Sequence, residues 1–535
     1  MALQGRMSPM GLTTNLFISH AETYHMDTQV VSIDERGKKT RSTWGKVGNR
    51  SRHLASALKS LGVMEGDILG TISPNTINHL ELLYAISGCG AVAHTINPRL
   101  FPDEIVFIIN DAKDKILFVD TAYLPFLIGH KHLIPSVDHM YIIGPKKNEV
   151  AAKMNGFKFL EDLYTGSFPT FVWPEFDENN AAVLCYTSGT TGNPKGVLYS
   201  HKSIAVHANM ISLPDYFGFS ATDSLMPITP MFHVNAWGAT YASAMVGSKL
   251  VLPGPNVNAS NLTRLINEEK VTVAIGIPTI WEELLSYLEE NNANIKSLKR
   301  IFAGGAKVPD WMITVFADQH EIKCVQAWGM TETSPVGLIN TATNENQKLS
   351  KQKTGRPVWT TQFKIVDEDG NDLPQDSNAI GEIYIKGPTV INSYLKNPSK
   401  AVDEEGWFRT GDIGFIDKNG YITLTDRSKD LIKSGGEWIS SIQLEQIICQ
   451  HPLIYDAAVI GLPHPKWGER PVVVAEAKSE NISQDEILDF FKDKVVKWQI
   501  PDKVIFVDEL PLSSTGKPLK KILKEEFSQT LTKGV

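Results

Sequence analysis

Tyr186-Thr187-Ser188-Gly189-Thr190-Thr191-Gly192-Asn193-Pro194-Lys195-Gly196-Val197 follows a short apolar run, Ala181-Ala182-Val183-Leu184-Cys185. The apolar run reads as a buried strand. Beyond the loop, Val197-Leu198-Tyr199-Ser200-His201 leads into a segment of helical character. Glycines allow backbone N–H groups to turn toward an anion, the hydroxyls of Thr187, Ser188, Thr190 and Thr191 add donors, and Lys195 adds a point charge. A loop of this chemistry suits a polyphosphate. It is not the common P-loop, which needs Gly-Lys-Ser/Thr, because Lys195 follows Pro194 and precedes Gly196.

Working outward, the bulk numbers narrow the class. A chain of 535 residues with 42% hydrophobic and 21% charged residues is an ordinary globular composition with room for several domain-sized units. A formal net charge of −8 argues against a nucleic-acid binder, which carries a basic excess. Cys89, Cys185, Cys324 and Cys449 are far apart, form no C-x-x-C pair, and suggest neither a zinc site nor a disulfide framework. A reducing, cytoplasmic setting is expected. No long apolar h-region is seen near Met1 and no run of about 18 apolar residues occurs, so neither a secretory signal nor a transmembrane segment is expected.

Upstream of the loop, strand-like Val30–Ile33 and 67–73 alternate with helical patterns over Trp44–Leu61 and Asn75–Cys89, with Gly62 closing the first. Alternation of this kind predicts parallel sheets with helices on their faces. His79 reads as a packing or surface residue, and Asn97-Pro98-Arg99-Leu100 as a structural loop. Downstream, 271–277 is strand-like, with Pro278 opening a helix; Ile301-Phe302-Ala303 runs into Gly304-Gly305, whose lack of side chains permits close approach by a ligand. From 354 to 425 short alternating strands (363–366, 381–386, 420–425) are separated by turns such as Asp369-Gly370 and Asn419-Gly420, predicting a small β-barrel or meander. The charged stretch Asp426–Ile439 reads as a boundary before a compact α/β remainder with strands at 457–462, 471–475 and 503–507. The expected fold is therefore α/β: an N-terminal domain over 1–426, with parallel-rich sheets, helices and the small barrel, and a smaller C-terminal domain over 427–535.

Five stretches, in order, resemble the AMP-forming acyl-CoA synthetases of the adenylate-forming superfamily: the loop at 186–196, Gly329-Met330-Thr331-Glu332-Thr333, Arg409-Thr410-Gly411-Asp412, the 426–439 segment with Gly435-Gly436-Glu437-Trp438, and Ser514-Thr515-Gly516-Lys517-Pro518. The resemblance implies ATP, Mg2+ and coenzyme A as cofactors and a carboxylic acid as substrate. Thr187, Ser188, Gly189, Thr190, Thr191, Gly192 and Lys195 would hold the phosphates, with Gly305, Gln326, Thr331, Asp412, Arg427, Lys429 and Trp438 completing the ATP site. Thr187 and Glu332 would serve the metal, which favours hard oxygen donors. His233, Trp237, Gly304, Trp328 and Gly329 would face the acyl group; His233 would orient the carboxylate rather than act as a base, since the acid is already ionised near pH 7. Lys429 would be a hinge of a mobile C-terminal domain, Gly435 and Gly436 would lie on the CoA path, and Lys517 and Lys433 would join His233 at the reacting centre. The lysine at 517 would offset charge growing on the α-phosphate.

The acyl group stays open. The Met-Thr-Glu-Thr-Ser-Pro and Gly-Glu-Trp-Ile-Ser elements resemble fatty acyl ligases and, equally, bacterial 3-methylmercaptopropionate CoA ligases, which favours a medium-chain fatty acid or 3-methylmercaptopropionate over long chains. Alternatives are an adenylation enzyme that loads a carrier protein, a long-chain ligase, and a non-catalytic nucleotide-binding relative, the last disfavoured by the presence of Thr187, Glu332, Asp412 and Lys517. Homodimers occur in this group, but the sequence identifies no interface.

Overall fold

The computed structural model describes residues 3, 5–145, 157–187, 193–341, 353–397, 399–435, 437–478, 482–512 and 518–528. They form two compact units, one of 1–362 with 386–408 and the other of 363–385 with 409–535.

The first unit holds two sheets. A seven-stranded sheet runs in the order Lys158–Phe159, His139–Ile143, Ile116–Asp120, Ile68–Ile72, Val92–Thr95, Ala181–Thr187, Lys195–Ser200. All its pairs are parallel except the last, which is antiparallel. A nine-stranded sheet runs Arg356–Pro357, Val336–Ile339, Lys323–Gly329, Arg300–Ala303, Val273–Gly276, Ser224–Pro227, Lys249–Leu252, Gln29–Ile33, Lys39–Thr43, parallel through its six-strand interior and antiparallel at its ends. The central strands read as apolar runs because both faces are covered, as parallel sheets require. Val31, Met226, Val251, Ala274, Ile301, Trp281 and Phe316 meet in one such core.

Helices form where the sequence supplies periodicity and caps. Trp44–Ser60 starts at Thr43, whose hydroxyl accepts from Lys46 N–H at 3.4 Å, and ends before Gly62 at φ +81°. Ile77–Gly88 starts at Thr76, which accepts from His79 N–H. The His79 ring is fully buried between the Thr71 hydroxyl at 3.0 Å and the Pro74 carbonyl at 3.1 Å, a satisfied core histidine as expected.

In the second unit, Gln362–Val366, Gly381–Lys386, Phe408–Ile416 and Ile422–Arg427 form a four-stranded sheet in sequential order, the meander of the two predicted forms. A five-stranded sheet carries Glu437–Ile439, Ile432–Ser434, Gly468–Ala477 and Ile454–His464, with Lys503–Val507 parallel to Gly468–Ala477. Helices Ser441–Ile448 and Gln484–Phe490 bury Leu444, Ile448 and Ile487 against Val459 and Val473 of this sheet. Among the described residues, no helix is long and apolar enough to cross a membrane.

Candidate active site

In open α/β sheets, ligands bind beyond the carboxyl ends of the strands. Thr187, Gly304 with Gly305, and the 329–332 turn all sit at the carboxyl ends of parallel strands in the first unit, and His233 follows the strand Ser224–Pro227. Ser188, Gly189, Thr190, Thr191 and Gly192 lie outside the described residues. Thr187 and Lys195 are opposite one another in the antiparallel pair that closes that loop.

The loop's neck is tied to the second motif. Tyr199, on the outgoing strand, donates its hydroxyl to the Thr331 carbonyl at 2.6 Å. Glu332, only 5% exposed, lies in the single turn Thr331–Thr333, and its carbonyl accepts from Ile391 N–H at 2.8 Å. Its carboxylate accepts from the Tyr394 hydroxyl at 2.9 Å. The Tyr394 ring centroid lies 5.0 Å from the Lys195 ammonium, and Leu395 N–H donates to the Gly196 carbonyl at 2.8 Å. Burial first, and then the Glu332 charge, push the Tyr394 phenol up, so it stays a neutral donor at pH 7. Thr187, Lys195, Thr331 and Glu332 thus belong to one hydrogen-bonded frame. A cavity of about 790 Å³ beside it is lined by Glu332, Tyr394, Ser200, Ser334 and Asn392, among others.

The second cluster of that unit is built on an unusual turn. Val234, Asn235, Ala236 and Trp237 all have left-handed backbone (φ +44°, +50°, +57°, +55°), continued by Gly238 at +76°. Each non-glycine residue there costs about 1–2 kcal/mol. The Asn235 side chain holds the turn, donating to the Met231 carbonyl at 3.2 Å and accepting from the Tyr241 hydroxyl at 3.2 Å. Asn75 fixes the approach to it, donating to the carbonyls of Pro227 and Thr229 at 3.0 Å each and accepting from Met231 N–H at 2.7 Å. The result aims the Trp237 indole at Gly304, where an added Cβ would lie 2.9 Å from Trp237 Cη2 and 2.7 Å from the Ala327 carbonyl oxygen. The space left by Gly304 is therefore taken up by the chain itself, whereas Gly305 is required by its φ of +83°. Gln326 accepts from Val308 N–H at 3.4 Å, joining the strand before Trp328 to the Gly304–Gly305 turn. Gly329 allows the next strand to fold back: a Cβ there would lie 1.9 Å from the Pro335 carbonyl oxygen. His233 and Trp328 are half-buried.

In the second unit, Asp412 and Arg427 are opposite in adjacent strands and form an ion pair at 2.5 Å, with Asp412 buried. Desolvation by the surrounding chain, and then Arg427, Lys520 and Lys524, lower the Lys429 ammonium, with Asp430 opposing them. Lys433 and Trp438 face each other in a hairpin, the ammonium 4.1 Å from the ring centroid and 2.7 Å from Glu368. Gly435, at φ +62°, donates its N–H to the Trp467 carbonyl at 2.8 Å, and the Trp467 ring covers the space a side chain at 435 would need. Gly436 and Lys517 lie outside the described residues; a bridge between Leu512 and Pro518 brackets the segment containing Lys517.

Sequence reasoning missed Tyr394, Asn75, Asn235 and Trp467. Asn235 is a polar residue in a largely apolar stretch, a signal that could have found it; Asn75, in a polar Ser-Pro-Asn-Thr stretch, and Tyr394 carried none.

The AMP-binding enzyme family matches residues 17–395, and the AMP-binding enzyme C-terminal domain matches 443–517. The chain is 46% identical, over 99% of both chains, to a 3-methylmercaptopropionyl-CoA ligase of Ruegeria lacuscaerulensis. It is 44% identical, over 98% of both, to a medium-chain-fatty-acid–CoA ligase of Ectopseudomonas oleovorans. Among solved structures, the O-succinylbenzoate coenzyme A synthetase of Bacillus subtilis in complex with ATP and magnesium ion superposes with a TM-score of 0.81 at 26% identity, covering 95% of this chain and 99% of that one. The fold, the ordered motifs and these likenesses together place the chain in the AMP-binding enzyme family.

Proposed function

We propose that the protein is an ATP-dependent, AMP-forming acyl-CoA synthetase that activates 3-methylmercaptopropionate or a medium-chain fatty acid. The observation that supports this reading is the shared frame of Thr187, Lys195 and Glu332, whose hydroxyl, ammonium and carboxylate suit phosphate and metal binding. The names of the two relatives supply the substrate class. The Trp237 ring against Gly304 narrows that turn and favours a short acyl group over a long one.

The reaction has two displacements. A carboxylate oxygen of the acid attacks the α-phosphorus of ATP; the new O–P bond gives acyl-AMP as pyrophosphate leaves. The CoA thiol, losing its proton, then attacks the acyl carbonyl, and AMP leaves with the electron pair of the broken C–O bond. In this reading Thr187, Ser188, Gly189, Thr190, Thr191, Gly192, Lys195 and Thr331 bind the phosphates. Asp412 takes the ribose hydroxyls with Arg427 beside it, and Gly305, Gln326 and Trp438 border the nucleotide. His233 orients the acid against Trp237, Gly304, Trp328 and Gly329. Lys517 and Lys433 offset charge on the reacting phosphate and acyl groups, electrostatic roles rather than proton transfers. Lys429 is the hinge about which the residues after 426 turn between the two steps, presenting Gly435 and Gly436 to CoA.

Magnesium, when bound, supplies charge neutralisation at the phosphates. Glu332 and the Thr187 hydroxyl suit it as hard oxygen donors. The wide spacing of Cys89, Cys185, Cys324 and Cys449 along the chain fits a cytoplasmic setting.

The test is AMP release from purified protein with Mg-ATP and CoA, using 3-methylmercaptopropionate, butyrate, octanoate and palmitate, each with a control lacking CoA. AMP that depends on both CoA and one of the first three acids supports the reading. Production of ADP, or a requirement for a carrier protein in place of CoA, overturns it.

A further inference from the structure

Glu332 lies in a well-fixed piece of backbone, but a glutamate side chain has three rotatable bonds with which to leave it. The main chain around it is held by Ile391 N–H on the Glu332 carbonyl, by Tyr199 on the Thr331 carbonyl, and by the Thr333 hydroxyl accepting from Met330 N–H at 3.0 Å. The carboxylate itself is met by the Tyr394 hydroxyl. Tyr394 is an economical residue for this task, since it has only two side-chain torsions and its neighbour Leu395 is bonded to Gly196. The two ends of its ring have opposite electrostatic character. The O–H donates to an anion, while the π face attracts a cation, here the Lys195 ammonium at 5.0 Å from the centroid. A single side chain therefore sets the spacing between the carboxylate offered to the metal and the lysine that closes the phosphate loop.

We propose that Tyr394 is a positioning residue for Mg-ATP: its hydroxyl holds the Glu332 carboxylate in the orientation that receives the metal, and its ring holds Lys195 at the neck of the phosphate loop. This rests on the metal role given to Glu332 above. Its consequence is a separation of effects. Loss of the hydroxyl weakens the metal-dependent part of nucleotide binding, and loss of the ring also weakens the metal-independent part.

ATP affinity is measured by titration calorimetry in excess EDTA and across a Mg2+ series, alongside AMP release, for the wild type, Tyr394→Phe, Tyr394→Leu and Glu332→Gln. A hydrogen bond to a charged group is worth about tenfold in an equilibrium constant. Tyr394→Phe is therefore expected to cut the gain in ATP affinity from Mg2+ about tenfold, raise the Mg2+ needed for half-maximal AMP release by about the same factor, and leave affinity in EDTA and KM for the acid within twofold. Tyr394→Leu is expected to lose a further factor of about three in EDTA. The proposal is overturned if Tyr394→Phe keeps the wild-type Mg2+ dependence while Glu332→Gln loses it. It is equally overturned if Tyr394→Phe weakens ATP binding by the same factor with and without Mg2+, the pattern of a merely structural residue. If Glu332→Gln itself keeps the full gain from Mg2+, the metal role of Glu332 is wrong and the proposal falls with it.

Discussion

Replacing Gly304 by alanine adds one carbon where two groups already stand, 2.7 Å and 2.9 Å away. Non-bonded carbons settle at about 3.5–4.0 Å, so a displacement of about 0.5–1 Å is forced. The Ala327 carbonyl belongs to a strand held in register with Arg300–Ala303, so it has little freedom. Trp237 is half-buried and sits on an irregular turn, so its ring is the group that yields. Overpacking of this kind costs about 1–3 kcal/mol. If roughly half of that falls on the acyl pocket, kcat/KM for the acid drops by about two- to tenfold, since about 1.4 kcal/mol corresponds to a factor of ten. KM for ATP should stay within twofold, because the Thr187, Lys195 and Glu332 frame is not touched by the added atom. The assay is AMP release at saturating CoA with each substrate varied in turn, supported by a thermal unfolding curve. A double-mutant cycle makes the test specific: Trp237→Phe deletes the ring atom that is 2.9 Å away, and should recover about 1 kcal/mol of the loss in the pair. Unchanged acid kinetics in Gly304→Ala, or strict additivity of the two substitutions, would refute the contact as a border of the acyl site.

Other expectations concern the remaining groups. Asp412→Asn leaves Arg427 without its carboxylate and removes a charged acceptor for the ribose; KM for ATP should rise about tenfold or more, and an unchanged value would remove Asp412 from the nucleotide site. Lys517→Ala should abolish adenylation yet leave thioesterification of supplied acyl-AMP largely intact, and equal loss of both half-reactions contradicts its role. Burial holds His79 and His201 at about 4 and His207 at about 3, with backbone bonds partly offsetting this at His79. Their folded values lie below the unfolded one, so the stability they contribute is fully present above about pH 6.5 and is lost as pH falls toward 4 and 3. Their imidazole NMR signals should stay fixed from pH 8 to pH 5, and a midpoint near 6.5 for any of them would show that its ring is open to water.

The parts legible in the sequence were those whose cause is local. Strand Gly381–Lys386 runs over the residues its alternation marked and strand Lys503–Val507 over its strand-like run, and the hairpin neck at Thr187 and Lys195 follows from an apolar run, a glycine-rich loop and a second run. What stayed hidden depends on residues far apart. Nothing local in Val234-Asn235-Ala236-Trp237 calls for four successive left-handed residues, and Asn75, just before a distant helix, and Tyr241 show how this approach and turn are held. Gly304 could be read as a place without a side chain, but not as one filled by Trp237. Tyr394 sits in an undistinguished Asn-Ser-Tyr-Leu stretch and gains its meaning from Glu332 and Lys195 alone.

The left-handed turn at 234–238 also bears on how this protein can change over generations. Its four non-glycine residues together hold about 4–8 kcal/mol of conformational energy that the surrounding structure must supply. Glycine in place of Ala236, which carries only a methyl group, would relax its share of that demand and be favoured by a search for thermal robustness alone. The same replacement would let the indole swing away from the turn it faces. Libraries selected for heat resistance should therefore drift toward looser acid preference at this position, while libraries selected for a new acid would do better to keep the turn and vary the residues opposite it.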